Sequence, residues 1–383
     1  MSLKLRGAVV LTEHGREYLD ISIRDGRISY LGKDDSYPHE EIDLSGLTVL
    51  PGFIDIHLHG GGGYDAMTAT YEALNTIAIT HAKHGTTAMC PASVAASEEE
   101  LEGLAAAFKE VVEKGTDGAK ILGWHVEGPY MNVETLGAHK EEYVRPASVE
   151  EMKKLVEISA DSIKLVTIAP EIEGALDVIR YLKSIGVVAT MGHSMATADD
   201  FAKAVDAGAS HTTHLFNAMR KFHHREPGLI GAALVDDRVT SEVIADGIHV
   251  HPVALKLFYK CKGAERGILV SDSIEAVDLP DGEYKLGSLT VYVESGRARL
   301  ADGTLAGSTL TMERAVKNMI ELAGASLEDA SRMASLNPAK LLGLDYRKGS
   351  IAVGKDADLV AIDDDFNVRL TVVAGRIVYN NLK

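Results

Sequence analysis

Two histidines one residue apart, His57 and His59 in Phe53-Ile54-Asp55-Ile56-His57-Leu58-His59-Gly60, have a spacing suited to metal chemistry. Alternate side chains of a strand point the same way, so one extended segment can present both imidazoles to a single ion. The glycine run 60–63 follows at once and lets the backbone turn with room for a ligand. Spacing alone also fits the polar face of an ordinary strand; the rest of the chain favours a metal. Glu127 ends an apolar run before Gly128-Pro129, where an unpaired carboxylate would be costly. His193 in Gly192-His193-Ser194 and His214 in His211-Thr212-Thr213-His214 complete a His/His/Glu set. Imidazole nitrogen with one carboxylate is borderline in softness and suits zinc or ferrous iron. Asp272, in Ile268-Leu269-Val270-Ser271-Asp272-Ser273, is the expected general base. Beside a metal-held water it can take the proton as a carbonyl is attacked, then return it to the leaving nitrogen. His125 and His211 fall inside their strands and read as hydrogen-bonded core histidines.

Residues so far apart need a scaffold that gathers them. Eight short apolar runs, 52–59, 86–93, 121–127, 163–170, 187–193, 211–216, 241–249 and 267–272, read as parallel strands joined mostly by helical patterns. Ser97-Glu98-Glu99-Glu100 and Ser148-Val149-Glu150-Glu151 read as capping boxes, and 171–184 carries apolar residues at helical intervals. This order predicts an α/β fold, a (β/α)8 TIM barrel over residues 51–345, with its site at the strand C-terminal ends. The candidates fall there: His57 and His59 close strand one, Glu127 strand three, His193 strand five, His214 strand six, His249 strand seven and Asp272 strand eight. Alternating runs over 3–50 and 349–379 predict that both termini pair into a small β-sandwich, a discontinuous domain of residues 1–50 and 346–383. Inserted β-hairpins are expected over 282–304, before Leu305-Ala306-Gly307.

With 383 residues, 46% hydrophobic and 25% charged, the composition is that of a globular chain. No apolar run of membrane-spanning length and no export-type leader is visible, which predicts a cytoplasmic location. A net charge of −17 argues against nucleic acid or anionic membrane as partner. An anionic small substrate then needs a local basic pocket, and Arg220-Lys221-Phe222-His223-His224-Arg225 is the densest basic run. The two cysteines, Cys90 and Cys261, make no disulfide framework and read as buried small hydrophobes.

The chain resembles the amidohydrolase superfamily over essentially its whole length. The broad signals are 51–60, the strand-eight aspartate and the tail 349–360; narrower ones are 125–130, 137–139, 192–194, 214–219, 225–228 and 245–249. The narrower set resembles the branch that removes acetate from N-acetyl-D-glucosamine 6-phosphate in amino-sugar catabolism. That resemblance implies a divalent metal, zinc or iron, held by Glu127, His193 and His214, with His57 and His59 allowing a second ion bridged through Glu127. It implies Asp272 as base then acid, and His139 polarising the acetyl carbonyl. It implies sugar-phosphate contacts from Ala138, Asn217, Ala218, Arg225, His249, Leu305, Ala306 and Gly307, and a homodimer in which Arg225 reaches the neighbouring active site. Strand four ends without a lysine, in Thr167-Ile168-Ala169-Pro170-Glu171, so a carboxylated-lysine bridge is not expected. Two rival readings stand beside this one: the galacto epimer as substrate, and a scaffold that has lost catalysis, which predicts missing ligands.

Overall fold

The computed structural model describes residues 2–33 and 40–382. Its centre is built from parallel strands, labelled here β1 (Phe53–Leu58), β2 (Thr86–Pro91), β3 (Trp124–Glu127), β4 (Ile163–Ile168), β5 (Val188–Met191), β6 (His211–Thr212), β7 (Thr240–Ile244) and β8 (Gly267–Val270). They form two arcs: β1 and β2 with the short strand Lys120–Ile121, and β3 through β8 in sequence order. Residues of β1, β2, β3 and β8 are buried without alternation, the pattern of parallel strands covered on both faces. The arcs meet at both ends. Ser93 N–H donates to His125 O at 3.1 Å on one side; on the other, Asp272 N–H donates to His57 O at 2.9 Å and His59 N–H to Ser273 O at 2.7 Å. Helices cover the outside, and the core they bury includes Phe53, Trp124, Phe258 and Met333.

Several elements depart from the sequence expectation for local reasons. The third strand, expected over 121–127, breaks at Leu122-Gly123, where the backbone passes so close to Ser162 O that a Cβ on residue 123 would lie 2.1 Å from it. The sixth is two residues long rather than 211–216: His214, Phe216 and Ala218 take positive φ of 25°, 84° and 49° and leave the sheet. The seventh stops at Ile244, so His249 does not close a strand. It lies in a turn where the Asp246 carboxylate accepts the N–H groups of Ile248 and His249, each at 2.8 Å. Ser97 and Glu100 form a full capping box. Ser148 caps only one way, since Glu151 turns its carboxylate to Arg145 and Tyr130. The helix expected over 171–184 starts at Ala175, after Gly174 at φ 79°, while Glu171 binds Ser194 and Met195. Cys90 is buried as expected, but Cys261 is exposed on helix Pro252–Arg266.

The chain ends meet in one connected sheet of eight strands. Thr48–Pro51 joins the halves, pairing in parallel with Ser2–Thr12 and antiparallel with Leu359–Ile362. This sheet has its own apolar cluster, including Leu5, Val10, Ile21, Ile23, Val49, Leu359 and Val372. The inserted segment forms the antiparallel strands Gly282–Leu286, Leu289–Glu294 and Arg297–Arg299, packed through Leu286, Val291 and Ala298 onto Val94, Ala138 and Ile274.

Candidate active site

Because the central strands run parallel, their C-terminal ends gather on one side, and the expected side chains meet there. Glu127 ends β3, His193 follows β5, His214 follows β6 and Asp272 follows β8. His193, His214 and Asp272 sit at φ of 48°, 25° and 50°, a conformation that non-glycine residues adopt at a cost and that aims each side chain off its strand. His193 Nε2 and His214 Nε2 are 3.1 Å apart, and lie 3.2 and 3.1 Å from the same oxygen, Glu127 Oε1. His193 Nδ1 donates to Thr135 O at 2.9 Å, so its Nε2 carries the lone pair. Burial pushes its pKa down to about 4, which keeps the ring neutral, the form a ligand needs.

The β1 histidines approach from the opposite side. His59 Nε2 is 3.2 Å from both Glu127 Oε2 and Asp272 Oδ1. His57 Nε2 lies 3.4 Å from Glu127 Oε1 and 3.7 Å from Asp272 Oδ1; it is buried and has no hydrogen-bond partner among the described residues. Glu127 stands among them, its Oε1 shared by His57, His193 and His214 and its Oε2 turned toward His59. Burial opposes the charge on Glu127, but His57 and the surrounding His139, His193 and His214 hold its carboxyl well below the usual range. Burial likewise opposes charge on His59, yet hydrogen bonds to Asp272 and Glu127 raise its pKa to about 9. Carboxylates that draw protons onto buried imidazoles also draw a divalent cation. The converging donors and the orphaned His57 Nε2 therefore fit a metal centre.

Above this cluster is a cavity of about 220 Å³, below the roughly 300–1,000 Å³ of drug-sized sites and suited to a small metabolite. It brings together His59, Glu127, Ala138, His139, His193, His214, Asn217, Ala218, His249, Asp272, Leu305 and Gly307. Three expected residues are absent from its wall. His57 is enclosed behind the others, Ala306 is buried in the cluster beneath the inserted strands, and Arg225 is exposed, its guanidinium 3.1 Å from His224 Nε2. Asn217 N–H is not a spare donor for an anion, because His214 O accepts it at 3.0 Å.

Ala95 N–H donates to His139 Nδ1 at 2.9 Å, which places the hydrogen of that ring on Nε2, 3.5 Å from Glu127 Oε2. His249 Nδ1 is held by Asp246 Oδ2 at 2.6 Å. His125 is a core histidine as expected, its Nδ1 bonded to Ile56 O and its Nε2 to Thr167 Oγ1, with burial lowering its pKa to about 3. His211 is buried and hydrogen-bonded too, between Thr240 and Glu242, though it begins its strand rather than lying inside it. Sequence reasoning missed Leu286 and Thr304 on the wall, which come from the inserted strands and their return. It also missed Glu242 behind His57; the available signal was a carboxylate inside the expected strand 241–249, directly before the apolar Val243-Ile244-Ala245.

Residues 48–378 match the model of the amidohydrolase family. The chain is 40% identical to the N-acetylglucosamine-6-phosphate deacetylase of Bacillus subtilis (strain 168), over 99% of this chain and 97% of that one. It is 39% identical to the N-acetylgalactosamine-6-phosphate deacetylase of Escherichia coli O157:H7, over 98% and 99% respectively. The crystal structure of N-acetylglucosamine-6-phosphate deacetylase from Pasteurella multocida superposes with a TM-score of 0.93 at 34% identity, covering 98% of this chain and 99% of that one. The chain belongs to the amidohydrolase family, among the N-acetylglucosamine-6-phosphate deacetylases.

Proposed function

We propose that this chain hydrolyses N-acetyl-D-glucosamine 6-phosphate to D-glucosamine 6-phosphate and acetate, as a metal-dependent deacetylase of amino-sugar catabolism. The observation that carries the reading is the convergence of His193 Nε2 and His214 Nε2 on Glu127 Oε1, with Asp272 and the His139 Nε2–H beside them. Glu127, His193 and His214 would hold the principal ion, and His57, His59 and Asp272 offer donors for a second across Glu127. A divalent ion bound there, zinc or iron, polarises an amide carbonyl and acidifies water.

The remaining steps fall to side chains. His139 donates its Nε2–H to the acetyl oxygen as negative charge develops there. Asp272 takes a proton from the attacking water and passes it to the amide nitrogen as the C–N bond breaks, so acetate and the free amine leave. Ala138, Asn217, Ala218, His249 and the loop residues Leu305 and Gly307 are assigned to the sugar phosphate, with Ala306 buried behind that loop. Arg225, whose guanidinium can fork two hydrogen bonds to a phosphate, is exposed outside its own cavity, which supports a homodimer in which it serves the neighbouring site.

The strand arcs are read as one closed (β/α)8 barrel of residues 51–345. The sheet of residues 1–50 and 346–383 is read as a β-sandwich domain with its own apolar cluster. Two free cysteines fit the reducing cytoplasm.

The near-equal identity to the galacto enzyme keeps the C4 epimer as a second reading. Acetate release from both epimers decides, measured after chelation and after adding back zinc, iron or manganese. The expected result is no release without metal, restoration on addition and a higher kcat/KM for the gluco substrate. A higher value for the galacto substrate selects the second reading, and metal-independent release overturns the mechanism.

A further inference from the structure

Behind the rim lies a buried carboxylate that the reaction does not use. Glu242, on β7, is fully enclosed. Its Oε2 accepts from His57 Nδ1 at 2.9 Å and from the His214 backbone N–H at 3.0 Å, and its Oε1 pairs with His211 Nε2 at 3.2 Å. A hydrogen on His57 Nδ1, held by a carboxylate, leaves Nε2 with the lone pair and fixes the plane of the ring.

The neighbouring His125 shows what a purely structural histidine looks like in the same core. Its two nitrogens are satisfied by neutral partners, Ile56 O and Thr167 Oγ1, at 3.0 and 2.8 Å. His57 is satisfied on one nitrogen only, and its orphaned Nε2 points among Glu127 and Asp272. A carboxylate behind an imidazole raises the basicity of the far nitrogen, and buried Glu242 also adds a negative charge behind the ligand cluster.

We propose that Glu242 is a positioning residue of the metal centre: it locks His57 in the tautomer and orientation that turn Nε2 into a cation ligand, and steadies His214 through its backbone. This rests on the reading of the rim as a metal site.

The test uses the full chain, stripped of metal and titrated with zinc alone, as wild type, Glu242→Leu, Glu242→Gln and His57→Ala. Zinc per chain, zinc affinity and the visible absorption of the cobalt-loaded forms are read, with the melting temperature of each metal-free protein as the control for folding. The expected result is a roughly 10–100-fold loss of zinc affinity in Glu242→Leu, similar to His57→Ala, with a changed cobalt spectrum. Glu242→Gln should lose less, because its amide oxygen still accepts from His57 Nδ1, and it keeps the test open should the leucine variant misfold. Wild-type affinity and spectrum in both Glu242 variants, beside a weakened His57→Ala, overturn the proposal while the metal site stands. Wild-type affinity in His57→Ala, or no zinc uptake by the wild type, removes the metal reading of His57 and the role of Glu242 with it.

Discussion

Asp272 and His59 meet through one carboxylate oxygen: Oδ1 lies 3.2 Å from His59 Nε2. The longer approach to His57, at 3.7 Å, uses the same atom, so Oδ2 is the oxygen left to carry a proton. Asp272→Asn keeps the size and removes the base. It should lower acetate release by roughly 10²–10⁴-fold while Glu127, His193 and His214 retain their ion. Metal analysis alongside the acetate assay checks this; substantial turnover in a fully metallated variant removes Asp272 from the mechanism.

His139 is assigned a different task, and its variant should separate from the first. With Nδ1 occupied by Ala95 N–H, only Nε2–H is available to the acetyl oxygen. His139→Ala should reduce kcat by about 10²-fold or more, with KM and metal content near wild type. A rise in KM alone, with kcat intact, would assign His139 to substrate binding.

Arg225 permits a complementation experiment. If it serves the adjoining subunit, Arg225→Ala and Asp272→Asn are each poorly active alone, yet their mixed dimer contains one site with both native residues. Co-expression with two different tags, then sequential purification, should recover about half the wild-type activity per dimer if that site turns over independently. No recovery would place Arg225 in its own chain's site or outside catalysis.

Stability should show a pH dependence that arises away from the site. His84 lies between Asp278 and Glu313 at 2.8 and 2.9 Å. Burial opposes its charge, but the two carboxylates raise its pKa from 6.5 to about 9. A raised folded-state value means the contribution is whole below about pH 6.5 and is lost as pH climbs through 9. It is on the order of 1 kcal/mol, since Asp278 is partly exposed and screened. The melting-temperature gap between wild type and His84→Gln should be widest near pH 6 and shrink above pH 9; a constant gap contradicts this.

Lys262 makes a structural prediction. Its ammonium is buried and donates to Ala233 O, Asp236 O and Val239 O at 2.7, 2.9 and 2.6 Å, closing the end of helix Gly228–Val235. Burial lowers its pKa to about 8. Lys262→Met keeps the stem and strands three acceptors, at an expected cost of about 3 kcal/mol by urea denaturation. An unchanged midpoint would show that water replaces the ammonium there.

The sequence by itself determined the order of apolar runs and the placing of His57, His59, Glu127, His193, His214 and Asp272 near their ends. That is local information: alternation, run length and the residue that ends a run are all written in neighbouring positions. It overran 211–216 and 241–249, where carboxylate-capped turns and positive φ end strands whose composition would let them continue. It placed Cys261 inside, because composition does not say which face of a helix meets the core. Only the tertiary structure decided which nitrogen of each imidazole is free. Thr135 O orients His193, Ala95 N–H orients His139, and Glu242, 185 residues from His57, orients that ring. A tautomer is set by the group that happens to pack behind it, and such a partner is chosen by folding rather than by adjacency in the chain.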